Sequence, residues 1–386
     1  MGLTAAGLIA PSILQAAEQN HSDPTRVPGR TPSPYGSRAS TETAQRLTTA
    51  THSLTPHQSL HGIITPSALH FERHHNGVPT IDPDQHRLLI HGLVERPLIF
   101  SMNELMRFPS VTRTLFIECS GNSGKEWNGP TGKTVQDTHG LMSTSEWTGV
   151  PLATVLTEAG IKPEAAWVLA EGSDAAAMTR SLPLEEVLKD ALLCYAQNGE
   201  RLRPEQGYPL RLVIPGWEGN TCIKWIRRLK VGAAPFMTRE ETSRYTDLMP
   251  DGTARQFTFV MEAKSVITSP SGGQRIEPGF VEIRGLAWSG RGKIVTVDVS
   301  TDGGVTWQTA QLQEPVFSHC HTRFRLGWHW TGKDAILQSR CVDETGYVQP
   351  TRAALVAARG IHSSYHYNAI QSWEVGRDGP VTNVQV

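Results

Sequence analysis

Val111-Thr-Arg-Thr-Leu-Phe-Ile-Glu-Cys-Ser-Gly-Asn-Ser-Gly-Lys-Glu-Trp127 carries two opposed instructions. Up to Ile117 the residues are largely β-branched or aromatic, which reads as a strand entering a sheet interior. From Ser120 to Gly124 small, turn-forming residues cannot continue that strand. They predict a tight loop whose backbone approaches a ligand closely. Cys119 stands at the junction. A thiol at a strand end facing such a loop is placed to hold a soft metal, because thiolate is a soft, polarizable ligand. The competing reading is an inert buried thiol.

The surroundings decide the class of the fold. Short β-type runs (Arg87 to Leu93, Thr114 to Ile117, Arg211 to Ile214) alternate with helical stretches. Ser101 is an N-cap type residue before Met102, and Leu152 to Ala159 places apolar residues at i, i+3, i+4 ahead of the Gly160 stop. This alternation predicts an α+β domain over residues 56–250. Beyond residue 253 the pattern changes to period two in Val281 to Trp288, Lys293 to Ser300 and Arg323 to Trp330. Turns such as Ser289-Gly-Arg-Gly292 and Asp302-Gly-Gly304 separate these runs, and an immunoglobulin-like β-sandwich over 253–378 is expected. Residues 21–55, rich in Ser, Thr, Pro and Arg, read as an irregular arm. Residues 1–20 resemble the apolar part and Ala-rich end of an export signal without its charged start, as a truncated signal would.

At 386 residues the chain accommodates two domains with separate cores. A net charge of −1 gives no sign of a polyanion-binding surface, so no nucleic-acid partner is expected. No window reaches the ~18 apolar residues that a membrane span needs. The five cysteines (119, 194, 222, 320, 341) lack CxxC, CxxCH and zinc spacing, so no c-type haem is expected on this chain. Cys320 and Cys341 fall in adjacent predicted strands and either pair in an oxidising compartment or stay separate buried thiols.

Four segments occur in order: Leu69-His-Phe-Glu-Arg-His-His-Asn-Gly-Val-Pro79, the Cys119 segment, Gly207-Tyr-Pro-Leu-Arg-Leu-Val-Ile-Pro-Gly-Trp217, and Cys222-Ile-Lys-Trp-Ile-Arg-Arg228. Over roughly residues 55–375 the chain resembles the sulfite oxidase family of molybdopterin enzymes. Thr138-His-Gly-Leu141, Ser145-Glu-Trp-Thr-Gly149, Pro215-Gly-Trp-Glu-Gly-Asn-Thr221 and Tyr365-His-Tyr-Asn-Ala-Ile-Gln-Ser-Trp373 narrow the likeness. They point to one branch, the molybdenum subunits of Sox sulfane dehydrogenases.

The resemblance implies a molybdopterin-binding domain followed by an immunoglobulin-like domain that builds a homodimer. It implies Cys119 as the protein ligand of molybdenum. Phe71, Arg73, His75, Asp174, Gln206, Arg211, Cys222, Ile223 and Lys224 become cofactor-binding positions, with Arg211 on the phosphate. Tyr245, twenty-one residues after Lys224, takes the place of a catalytic tyrosine, and Arg73 is expected to stabilise negative charge on the reacting sulfur–oxygen group. Without the likeness, His74 and His75 read as surface residues, Arg211 as a solvated edge charge and Tyr245 as a loop tyrosine.

Two departures stand out. Sulfite-oxidising members carry an arginine where this chain has Gly124, which suggests room for a substrate bulkier than sulfite. Gln206 replaces a histidine. The implied activity is molybdenum-dependent oxygen-atom transfer to a protein-bound sulfane (persulfide) or to sulfite, in the periplasm. Electrons would pass to a c-type, dihaem cytochrome, and a sulfur-carrier protein would present the substrate. The alternatives are a stand-alone sulfite dehydrogenase and a metal-free dimeric scaffold.

Overall fold

The computed structural model describes residues 26–386, so the export-signal expectation at 1–20 lies outside the described residues. Residues 26–43 belong to a short separate unit, exposed along its described length, in which Arg38 and Glu42 pair at 3.2 Å. Residues 44–386 form one compact unit with two apolar cores.

The first core lies between two five-stranded sheets. One runs in the order Leu98–Ser101, Arg87–Gly92, Ile226–Gly232, Trp167–Gly172, Thr179–Pro183, and only its Arg87–Gly92/Ile226–Gly232 pair is parallel. The other is antiparallel: Glu200–Arg201, Leu192–Gln197, Met142–Pro151 and Val111–Glu118, with Arg211–Val213 also on Leu192–Gln197. Short helices connect them. Met102–Leu105 begins with a Ser101/Glu104 capping box, and Leu152–Ala159 buries Leu152, Val155, Leu156 and Ala159. Mixed strands and helices over one core make this region α+β, as the alternation predicted.

The second core is a β-sandwich. Lys264–Ser269, Gly279–Trp288, Thr322–Trp330 and Gln311–Leu312 form one antiparallel sheet. Gln308–Thr309, Ile294–Ser300, Ala335–Asp343, Ser372–Val375 and Val381–Val384 form the other. Alternate residues such as Ile283, Phe324, Val297, Leu337, Cys341 and Trp373 point inward and share the core. That core also takes in Phe116, Val135 and Met142 from the first region, so the two domains interlock.

All five cysteines are free, the separate-thiol outcome that the sequence left open. Cys320 leads into Thr322–Trp330 of one sheet while Cys341 sits in Ala335–Asp343 of the other, because strands that follow each other in a sandwich need not pair. The arm is also partly ordered: Leu47–Thr48 pairs with His52–Leu54, which pairs in turn with Glu72–Arg73. Strands of two or three residues are too short to leave a period in the sequence.

Candidate active site

Every residue singled out above for cofactor or catalysis lines one cavity. Six segments bring them there. The Val111–Glu118 strand ends at the floor and delivers Cys119, whose backbone is held at both ends: its N–H donates to Leu141 O at 2.9 Å and its C=O accepts from Asn122 N–H at 2.8 Å. Residues 70–75, 206–211 and 222–224 meet along one wall, Asp174 follows the strand Trp167–Gly172, and Tyr245 follows the short helix Arg239–Ser243.

This wall is tied by polar contacts. Gln206 Nε2 donates to Phe71 O at 2.9 Å, and Arg211 Nη1 donates to Gln206 O at 2.9 Å. Arg211 Nη2 reaches Cys222 O at 3.3 Å, with the guanidinium 4.8 Å from the centre of the Trp147 ring. At 3% exposure Arg211 is a buried cavity wall, not the solvated edge charge the bare sequence allows. Lys224 Nζ donates to Glu205 O at 3.0 Å and Arg73 O at 3.2 Å, and lies 2.8 Å from His74 Nδ1. Asp174 Oδ1 accepts from Met178 N–H at 3.1 Å. Cys222 is buried against Ile214, so its wall contribution is shape.

The electrostatics call for an anion. Burial, reinforced by the Arg211 charge, pushes the Lys224 ammonium well below its ordinary value, and burial lowers Arg211 too. Arg211 Nε and His70 Nε2, both buried on this wall, have no hydrogen-bond partner. An anionic, hydrogen-bonding group fits this wall: it would pair with both cations and with the two orphaned atoms. A phosphate-bearing pterin has that character. Among the described residues no three His, Cys, Asp or Glu side chains converge to hold a bare ion.

A second, larger cavity adjoins the first, and the two share Arg73, His75, Cys119 and Tyr245. Tyr245 Oη lies 3.2 Å from His75 Nε2, and its ring packs on Tyr365 with centroids 5.3 Å apart. Burial, then the neighbouring Cys119 and Tyr365, push the Tyr245 phenol upward, so it keeps its proton. Burial and then Arg73 lower His75, which favours the neutral ring. The Cys119 thiol is raised by burial, while the Gly121 amide and Arg73 pull it back toward thiolate. Lys125, Arg239 and Arg244 line the outer cavity and Glu240 and Asp137 oppose them.

The room expected at Gly124 is not there. A Cβ at this position would lie 2.8 Å from the backbone O of Ser364, so the C-terminal region already fills the space a side chain would take. The reading of individual motif positions also missed His70, Asn220 and Tyr365. Each lies inside a quoted motif, but nothing in its spacing says which cavity it faces.

The oxidoreductase molybdopterin binding domain family matches residues 75–240, and the Mo-co oxidoreductase dimerisation domain family matches 255–373. Mitochondrial sulfite oxidase of Rattus norvegicus is 33% identical over 332 residues, covering 78% of this chain and 60% of the rat protein, so the chain spans well under the full length of that relative. Sulfite oxidase of Gallus gallus is 32% identical over 332 residues, covering 78% of this chain and 71% of its own length. Among solved structures, the sulfane dehydrogenase SoxCD from Paracoccus pantotrophus is similar at a TM-score of 0.94 and 47% identity, over 98% of this chain and 100% of that one.

Proposed function

The chain belongs to the sulfite oxidase family of molybdopterin oxidoreductases, and from that premise we propose that it is the molybdenum subunit of a sulfur-compound dehydrogenase whose substrate is a protein-bound sulfane. Each turnover adds one water-derived oxygen to the terminal sulfur and releases two protons and two electrons. The observation that carries this reading is the junction of the two cavities, where Cys119, Arg73, His75 and Tyr245 meet.

When bound, the molybdenum–pterin group supplies the oxygen donor and the two-electron acceptor. Cys119 would hold the metal, and Arg211, Lys224, His70 and Gln206 would hold the pterin and its phosphate. Arg73 puts a fixed positive charge beside the sulfur as negative charge develops on its new oxygen. Tyr245 keeps a proton on Oη and can donate it as a hydrogen bond toward the reacting group, with His75 Nε2 near enough to exchange it. The outer cavity, larger than the inner one and joined to it at Arg73, His75, Cys119 and Tyr245, supports a sulfur carried on an arm rather than a free oxyanion.

No CxxCH occurs in the sequence, so electrons leave to a separate c-type cytochrome, which we take to be a dihaem subunit. The homodimer would form through the sandwich, a reading supported by the dimerisation-domain match, and the setting would be the periplasm. Among the described residues no helix is long and apolar enough to cross a membrane.

Rapid mixing of oxidised, molybdenum-verified protein with glutathione persulfide and, separately, with sulfite tests the substrate. Bleaching of the thiolate-to-molybdenum absorption by the persulfide alone is the expected result. Bleaching by sulfite alone makes this a stand-alone sulfite dehydrogenase, and bleaching by neither removes the sulfur-oxidation reading.

A further inference from the structure

Cys119 and Tyr245 arrive at the site from distant parts of the chain, and each has a buried carboxylate close by in sequence. Glu118 precedes Cys119 and Asp247 follows Tyr245 by two residues. Neither carboxylate lines the two site cavities. Both are gripped by basic residues of the C-terminal region.

Glu118 has no exposed surface. Its Oε1 accepts from Lys264 Nζ at 2.6 Å and from Asn122 Nδ2 at 2.9 Å, and its Oε2 accepts from Trp288 Nε1 at 2.7 Å. Lys264 and Trp288 are direct cross-strand partners in the sandwich, which is why both reach one carboxylate. Asn122 also donates its backbone N–H to Cys119 O and accepts from Leu141 N–H at 3.1 Å, so Glu118, Asn122 and the Cys119 backbone are one connected group. On the other side Asp247 Oδ2 lies 3.3 Å from Arg359 Nη1, and Asp247 Oδ1 accepts from Ser363 Oγ at 3.1 Å. Arg359 ends the helix Arg352–Arg359 and also donates to Glu262 Oε2 at 2.9 Å.

Buried ion pairs are weak devices for stability, because desolvating both charges offsets most of the attraction; what fully hydrogen-bonded pairs add is a fixed geometry. We propose that the C-terminal domain is a positioning part of the reaction site. Through Lys264–Glu118 and Arg359–Asp247 it sets where the Cys119 thiol and the Tyr245 phenol stand relative to each other. Lys264, Trp288 and Arg359 are positioning residues; none of them lines either site cavity. The part concerning the metal rests on the reading of Cys119 as its ligand.

The test uses the full chain with Lys264→Met, Trp288→Phe and Arg359→Met. Two readouts follow Cys119: the thiolate-to-molybdenum absorption of loaded protein, and the alkylation rate of Cys119 in cofactor-free protein by mass spectrometry, the other four cysteines being buried. Lys264→Met and Trp288→Phe are expected to shift the absorption and to speed alkylation about tenfold, a change of about 1.4 kcal/mol in positional restraint. Arg359→Met is expected to leave both unchanged, to lower kcat with KM held, and to move the alkaline limb of the pH profile, with Arg359→Lys partly restoring it. Folded variants that match the parent in absorption, alkylation and pH profile overturn the proposal. If Lys264→Met does not fold, Trp288→Phe, which deletes one donor from an otherwise aromatic site, decides alone. A parent protein that binds molybdenum without the absorption removes Cys119 as ligand, and the alkylation rates still decide whether the clamp positions its thiol.

Discussion

Gly124 bears no side chain because the carbonyl of Ser364 stands where its Cβ would go. That contact joins the loop after Cys119 to residues 363–366, which carry Tyr365 to the rim of the outer cavity. Gly124→Ala is therefore expected to lower stability by about 1–3 kcal/mol, as overpacking does, and Gly124→Arg by more; denaturant midpoints at constant m-value would measure it. At Arg211 the argument runs the other way. Its unpartnered Nε and depressed pKa mark a cation held ready for an anion. Arg211→Met should leave the fold standing and weaken cofactor retention by the value of a charge-assisted hydrogen bond, about 1.5–3 kcal/mol or roughly ten- to a hundredfold. Pterin and molybdenum per mole of purified protein would show it. The strand-to-loop junction singled out Cys119 from the residues alone, whereas Arg211 and Tyr245 were singled out only by the resemblance to a known family. Neither revealed the contact between Gly124 and Ser364, since two segments some 240 residues apart in sequence meet there only once both domains are folded.

Among the elements, those with a strong period were legible. Val111–Glu118, Gly279–Trp288, Thr322–Trp330 and Leu152–Ala159 lie where alternation or helical spacing put them. The two- and three-residue strands that tie Arg73 to His52 were not, because pairing and not pattern makes them strands. Nor could the sequence show how tightly Met142–Pro151 packs on Leu192–Gln197. At Gly149 a Cβ would lie 2.2 Å from Leu193 O, beside the register shift between Cys194 and Ala196. Both partners are backbone, so no side chain can give way. Gly149→Ala should cost at least the upper part of the ~1–3 kcal/mol overpacking range. A large fall in melting temperature, beside an unchanged Gly36→Ala control with open space at its Cβ, would be the outcome.

At the scale of the whole molecule the seam between the two cores holds three buried histidines. His57 Nε2 lies 3.1 Å from His139 O, His139 meets Trp288 edge-on with centroids 6.4 Å apart, and His321 Nδ1 lies 3.0 Å from Thr144 Oγ1. Burial lowers His57 from its ordinary 6.5 to about 4 and takes His139 and His321 well below 6.5. The positive neighbours act in the same sense: Arg323 on His57 and His321, and Lys264 on His139. Since each folded value lies below the unfolded one, the unfolded chain binds more protons between them, and stability falls as pH falls. The loss begins near pH 6.5 and for His57 is complete near pH 4, where it reaches on the order of 3 kcal/mol. Above pH 6.5 all three are neutral in both states and the contribution is fully present. Glu126 and Asp190, raised by burial, oppose the trend, but their effect grows upward from the ordinary carboxylate range. Because Phe116, Val135 and Met142 lie in the sandwich core, weakening the seam should loosen both domains together. Calorimetry from pH 8 to pH 5 should thus show one transition that drops steeply below pH 6.5, and His57→Asn should flatten that drop while lowering the plateau. Two transitions, or an unchanged slope in the variant, would mean that the seam histidines do not set the acid limit of the fold.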